Sequence, residues 1–164
     1  MEKLSFKDFL SYFEHTELPI TLKEGAEHQF SLKNDLLPDD LVNKFIKPAL
    51  NFELDEFTEI VPCVFWNTKY QHVASIFWCA RLMRYTFYII IFDQDGNPLD
   101  NAEIAGFFSD QEEIIYSMAN IDEEETIYIV EASHSIEAHE LNKDKTRKTI
   151  LEIVEDGRIV QLPE

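Results

Sequence analysis

Asp93, Asp95 and Asn97 alternate in the stretch F-D-Q-D-G-N-P-L-D, residues 92–100. Three oxygen-bearing side chains at every second position are how a calcium-binding loop begins. Such a loop also needs a glycine at its sixth position and a bidentate glutamate at its twelfth. Counted from Asp93, those places hold Pro98 and Ile104, and Asp95-Gly96 is itself a hairpin-turn dipeptide. The stretch therefore reads as a turn. A second group of metal-competent side chains, His134, Glu137, His139 and Glu140, lies in H-S-I-E-A-H-E. Neither zinc-protease arrangement of histidines and glutamate can be written there, and an extended chain sends His134 and His139 to opposite faces. The expectation is a polar hairpin end, and no metal is assigned.

Nucleotide and acyl-transfer chemistry are excluded more firmly. The glycines are Gly25, Gly96, Gly106 and Gly157, too few and too far apart for a phosphate-cradling loop. No G-x-S-x-G elbow exists, and Cys63 and Cys79 stand in apolar runs without cationic neighbours, which predicts buried free thiols rather than activated nucleophiles. No catalytic residue and no cofactor is assigned, and the chain is read as a binding protein rather than an enzyme. The most concentrated charge is D-E-E-E, Asp122, Glu123, Glu124 and Glu125, at an expected hairpin tip. These four are the candidate partner-binding residues. Lys143, Lys145 and Arg147 alternate to give a basic stripe, read as a solvated strand end that guards an edge. Trp66, Trp78 and Tyr85 are anchors of the kind that dominate interfaces when exposed and cores when buried.

The formal charge of -18 comes from 14 Lys and Arg against 32 Asp and Glu. Such a field repels polyanions, so nucleic-acid binding is disfavoured, and it speeds encounter with a basic partner. With 164 residues, 45% hydrophobic, the chain has the length and the apolar content for one domain with a real core. The start lacks the unbroken apolar segment of a signal peptide, and the longest apolar run, Phe87 to Phe92, is far short of the ~20 residues that cross a bilayer. The expectation is a cytoplasmic protein with no membrane partner.

The elements that must position these groups change character along the chain. Leu4–His15 has the pattern of an amphipathic helix, capped by Ser5 with Asp8 three residues on. Residues 18–32 read as extended and irregular. A second helix is expected from Pro38, with Asp39 and Asp40 at its positive end, and Pro48 is expected to stop it. From residue 52 to 162 the chain predicts strands: Glu59–Trp66, His72–Arg81, Arg84–Asp93, Leu99–Phe107, Thr126–His134, Thr146–Glu155 and Arg158–Leu162. Residues 109–121 fit a capped helix or a strand, and the strand is favoured because a hairpin then follows at once. Tyr85 to Phe92 is apolar on both faces, so its strand is expected at the centre of the sheet. Pro62 points to an edge or a bulge. E-D-G-R, 155–158, predicts a tight turn. The fold class that follows is α+β: two helices in residues 1–50 packed on a curved, mainly antiparallel meander.

The texture Y-T-F-Y-I-I-I-F-D-Q-D-G-N-P-L-D-N-A-E-I-A-G-F, followed by K-T-R-K-T-I-L-E-I-V-E-D-G-R-I-V, resembles that of small uncharacterised bacterial β-meander proteins over residues 84–162. The resemblance implies a meander and carries over no functional residue. Three functions are consistent with these features: an acidic immunity or inhibitor-type protein that neutralises a basic partner, which the charge favours; a small-molecule-binding or catalytic protein with a pocket between sheet and helices; and a self-associating module.

Overall fold

A computed structural model of the chain describes residues 4–109, 112–135 and 141–163, without the side chains of 135 and 141–145. The protein is mainly β. Its ten described strands are β1 (Glu14–His15), β2 (Ile20–Leu22), β3 (Glu59–Asn67), β4 (Val73–Arg81), β5 (Arg84–Phe92), β6 (Pro98–Ser109), β7 (Glu113–Ile121), β8 (Thr126–Ser135), β9 (Leu141–Ile153) and β10 (Ile159–Gln161). From β3 to β10 each strand pairs antiparallel with the next, the result of short polar turns between β-branched and aromatic runs. β1 adds to the β3 edge in parallel, so the sheet is mixed.

The sheet forks at β7. Residues 114–117 of that strand pair with β6, but residues 119–121 pair with β2 instead. Asn120 Nδ2 donates to the carbonyl of Ile20, 100 residues earlier, at 3.3 Å. At the far end, Ile159 N donates to Asp100 Oδ2 at 2.8 Å, which returns the last strand to the middle of the sheet. Gly106, beside the fork, has φ +126°, and a Cβ there would lie 2.2 Å from the Tyr85 carbonyl oxygen, so only glycine lets β6 approach β5 so closely.

Strand alternation divides the core in two. Phe87, Ile89 and Ile91 of β5 join Val61, Ile76 and Trp78 on one face, packed against Ala119, Ile121, Ile127 and Ile153 from the strands beyond the fork. Tyr88, Ile90 and Phe92 point the other way, onto Phe9, Phe13, Leu41, Phe45 and Ile46 of the helical segments. β5 is thus covered on both sides, as its unbroken apolar run predicts.

The helical expectations hold less well. α1 (Phe6–Leu10) has the predicted capping box, Asp8 N donating to Ser5 Oγ at 3.0 Å, but ends well before His15. α2 (Ala26–Lys33) forms where extended chain is expected, starting after Gly25 at φ +90°. It lies against β3, and Asn34 at its end donates to the carbonyls of Pro62 and Cys63 at 2.8 and 3.0 Å. Those bonds cover the strand beside a register shift between Pro62 and Val64, where the proline predicts an irregularity. The segment after Pro38 is not one regular helix: α3 (Asp39–Leu41) passes into a π turn over Val42–Ile46 and a 3-10 turn over Lys47–Ala49. Pro48 falls inside that last turn instead of ending the segment, since its missing N–H costs nothing in the first turn of a new helical pitch. Among the described residues, no helix is long and apolar enough to cross a membrane.

Candidate functional site

Each Asp-Gly corner holds a carboxylate that is already engaged, Asp93 in one and Asp156 in the other. Asp93 Oδ1 accepts from the backbone of Asp95 and Asn97, and its Oδ2 from Asn97 Nδ2, each at 2.9 Å. The Asn97 side-chain bond, with the backbone donors behind it, holds the Asp93 carboxyl below its usual range. Among the described residues, no three His, Cys, Asp or Glu converge in a way that could hold a metal. Glu137, His139 and Glu140 lie outside the described residues, while His134 is half-buried with its ring edge-on to Tyr116 at 5.6 Å.

The acidic tip is divided by its geometry. Glu123 and Glu124 are exposed, and Asp122 Oδ1 accepts from Glu124 N and Thr126 N at 2.9 and 3.0 Å. Glu125 is only 4% exposed. Its Oε2 accepts from Trp66 Nε1 at 2.7 Å and its Oε1 from Lys69 N at 2.8 Å. That corrects the expectation for Glu125: its carboxylate binds the β3–β4 turn from inside, and the surface of the tip is left to Glu123 and Glu124. Cys63 and Cys79 are buried and free. Burial pushes the Cys63 thiol well above its usual value and Cys79 up to about 11, which favours the neutral thiol in both. Of the basic stripe, Arg147 is an exposed residue of β9, while the side chains of Lys143 and Lys145 are outside the described set.

A polar cluster that no sequence motif marks lies on the helix-covered face. Glu103 accepts from Arg84 Nε and Nη2 at 2.8 Å, Thr86 Oγ1 at 3.0 Å and Tyr88 Oη at 2.9 Å. Burial alone would raise the Glu103 carboxyl, but the bonds from Arg84, Tyr88 and Thr86 outweigh it and hold it below its usual value. Burial, followed by the Glu103 charge, pushes the Tyr88 phenol up to about 12. Arg81 donates to Tyr88 Oη at 2.9 Å, and its guanidinium carbon stands 3.6 Å over the Phe52 ring. With the carboxylate saturated by its neighbours, the cluster is a clamp across β4, β5 and β6.

An open concavity among the described residues lies at the fork. It measures about 760 Å³, within the range of ligand sites, roughly 300–1,000 Å³. Trp78 and Phe87, packed edge-on at 4.8 Å, lie at its buried side. Phe107, Tyr116, Met118 and Val130 line the strands of the fork. Tyr85, Phe107 and Tyr116 form a stack across β5, β6 and β7, with ring centroids 5.0 and 5.8 Å apart. Tyr116, Met118 and Val130 remain 36–44% exposed, large apolar surface that the fold has not covered. Charge enters from the chain between β2 and α2, where Lys23 and Glu24 are exposed, and from the first turn of α2, where Glu27 is half-buried.

Sequence patterns single out Trp78, Tyr85 and His134 one at a time but not this constellation. It exists because β2 is carried across to pair with β7, a pairing that no local pattern encodes. The acidic tip is not part of it: residues 122–125 close the end of the β7–β8 hairpin opposite Ile114 and His134. Comparison with known proteins leaves the geometry to stand alone: no family model, no curated protein and no solved structure matches this chain.

Proposed function

We propose that this chain is a non-enzymatic acidic binding domain, of the immunity or inhibitor type, that neutralises a basic protein partner and engages it at the fork. The observation that carries this reading is the groove itself, an exposed aromatic stack with carboxylates at its mouth on a chain of charge -18. Half-exposed tyrosine and methionine beside a buried aromatic floor are the anchors on which protein interfaces concentrate their energy. The surrounding field adds association rate and selectivity for positive charge.

The test is capture from source cells on immobilised protein at low and at moderate salt. A basic protein should be retained, in an equimolar complex that salt weakens, and its own activity should fall when this chain is added. Recovery of no basic protein at either salt, or of one whose activity is untouched, removes the reading. The size of the groove favours a second reading, a small-molecule site, for which co-purifying ligand released by denaturation and seen by mass spectrometry is the evidence to seek.

A further inference from the structure

Resting on that binding role, the geometry points to a specific occupant: we infer that the groove at the fork receives an organic cation on an apolar stem, a guanidinium or ammonium side chain of the partner flanked by apolar residues. Three features of the lining converge on this chemistry. Its walls and buried side are π surfaces, Trp78, Phe87, Phe107 and Tyr116, and such surfaces attract cations as well as hydrocarbon. Its charged residues are two carboxylates, Glu24 and Glu27, against one ammonium, Lys23. The chain as a whole carries -18, so its long-range field favours the approach of a cation over that of an anion of the same shape, with Lys148 opposite Val130 as a local counterweight.

The alternatives fit less of the lining. A carboxylate or phosphate ligand would find Lys23 and the His134 ring as donors, but beside two like charges, Glu24 and Glu27. A neutral hydrocarbon would use the aromatic surface but would press against Glu24 and Glu27 and strip them of water with nothing in return. A cation on an apolar stem satisfies both halves: the stem lies along Met118 and Val130, and the head stays at the mouth among carboxylates and aromatic faces. Arginine suits the site better than lysine because its planar, weakly hydrated head stacks on aromatic rings. The chain uses that packing internally, with Arg84 4.0 Å over the Phe108 ring.

The experiment uses the intact chain and three probes of one shape: phenethylguanidinium, its neutral counterpart phenethylurea, and the anion 3-phenylpropionate. Backbone amide shifts are followed by nuclear magnetic resonance as each is added. The guanidinium should shift the amides of Phe107, Ile114, Tyr116, Ser117 and Met118, and should bind about tenfold more tightly than the urea, the size of a partly desolvated cation–π contact. The anion should bind most weakly. Glu24→Gln with Glu27→Gln should cut guanidinium affinity several-fold while leaving that of the urea unchanged. Tyr116→Ala, in a protein whose amide spectrum remains dispersed, should weaken both.

Equal affinity for guanidinium and urea, preference for the anion, or shifts confined to residues away from the fork would each overturn the inference. The two proposals fail separately. A basic partner captured equally well by wild type and by the double glutamine variant, with no probe in the groove, would remove the cation site and leave the binding role. A guanidinium seated at the fork with no basic protein captured would do the reverse.

Discussion

At the scale of single residues, Glu103 shows how one carboxylate can gather the donors of a whole strand. It accepts hydrogen bonds from three residues on β5, and none of those donors has another carboxylate partner in the cluster. Replacing it by glutamine keeps the shape and removes the charge. Glu103→Gln should cost about 1.5–3 kcal/mol near neutral pH, the range for hydrogen bonds to a charged group, measured by urea unfolding. The sign of its pH dependence follows from a folded pKa held below the usual value. The advantage of wild type over the variant is fully present above the unfolded carboxyl pKa of about 4.3, and it is lost as pH falls through the lower, folded value. A gap that persists unchanged to strongly acidic pH would show that charge is not what the position supplies.

At the scale of elements, the hairpin turns repeat one design. In the β3–β4, β5–β6, β7–β8 and β9–β10 connections, the residue in the left-handed region is Gln71, Gly96, Glu125 and Gly157, with φ of 66°, 89°, 67° and 90°. Each donates its N–H back to a residue three positions earlier, Thr68, Asp93, Asp122 and Val154. The Asp-Gly dipeptides were legible as turns, but only the glycine of each pair has positive φ, so the corner is a turn followed by a left-handed residue and not the tighter form with two. Gln71 and Glu125 hold that conformation without being glycine, at a cost of about 1–2 kcal/mol each. They differ in what holds them: the Glu125 carboxylate is bonded to Trp66 and Lys69, whereas Gln71 offers its backbone carbonyl to Gln94. Gln71→Gly should therefore raise stability by up to about 1 kcal/mol, and Glu125→Gly should lower it by at least as much because two inward donors lose their acceptor. Denaturant midpoints that move the same way for both would contradict this account.

The strands were legible to within a residue or two for β3 to β5, and within the stretch 109–121, favoured as strand, Glu113–Ile121 forms β7, because alternation and turn chemistry are local. Helical structure before residue 50 was not. α2 has no amphipathic stripe, with no buried residue along its length, and the segment from Asp39 to Ala49 changes pitch twice under tertiary packing. The groove was out of reach for another reason. It is made by residues near position 25 and near position 115, brought together by the pairing of β2 with β7.

At the scale of the whole molecule, charge should act on folding and on binding with opposite signs. A chain at -18 repels itself when compact, and added salt screens that repulsion over a length of about 10 Å at 0.1 M. Raising sodium chloride from about 10 to about 200 mM should lift the melting temperature by a few degrees, the response to roughly 1 kcal/mol in a chain of this size, as read by circular dichroism. The same salt should weaken the captured complex. A melting temperature indifferent to salt would mean that the surface charges are spaced widely enough not to feel one another.

The attachment of β2 to β7 also sets an order of events during synthesis. Residues 20–22 leave the ribosome early, yet the strand edge that seats them is not made until Ile121 has followed. For that interval Ile20 and Leu22 must wait in water, and the closing of so long a loop makes this pairing a late step of maturation. The β3–β4 and β4–β5 ribbons, whose partners are sequence neighbours, have no such delay. The groove, which depends on both, is finished only when residues near 120 reach back for residues near 20.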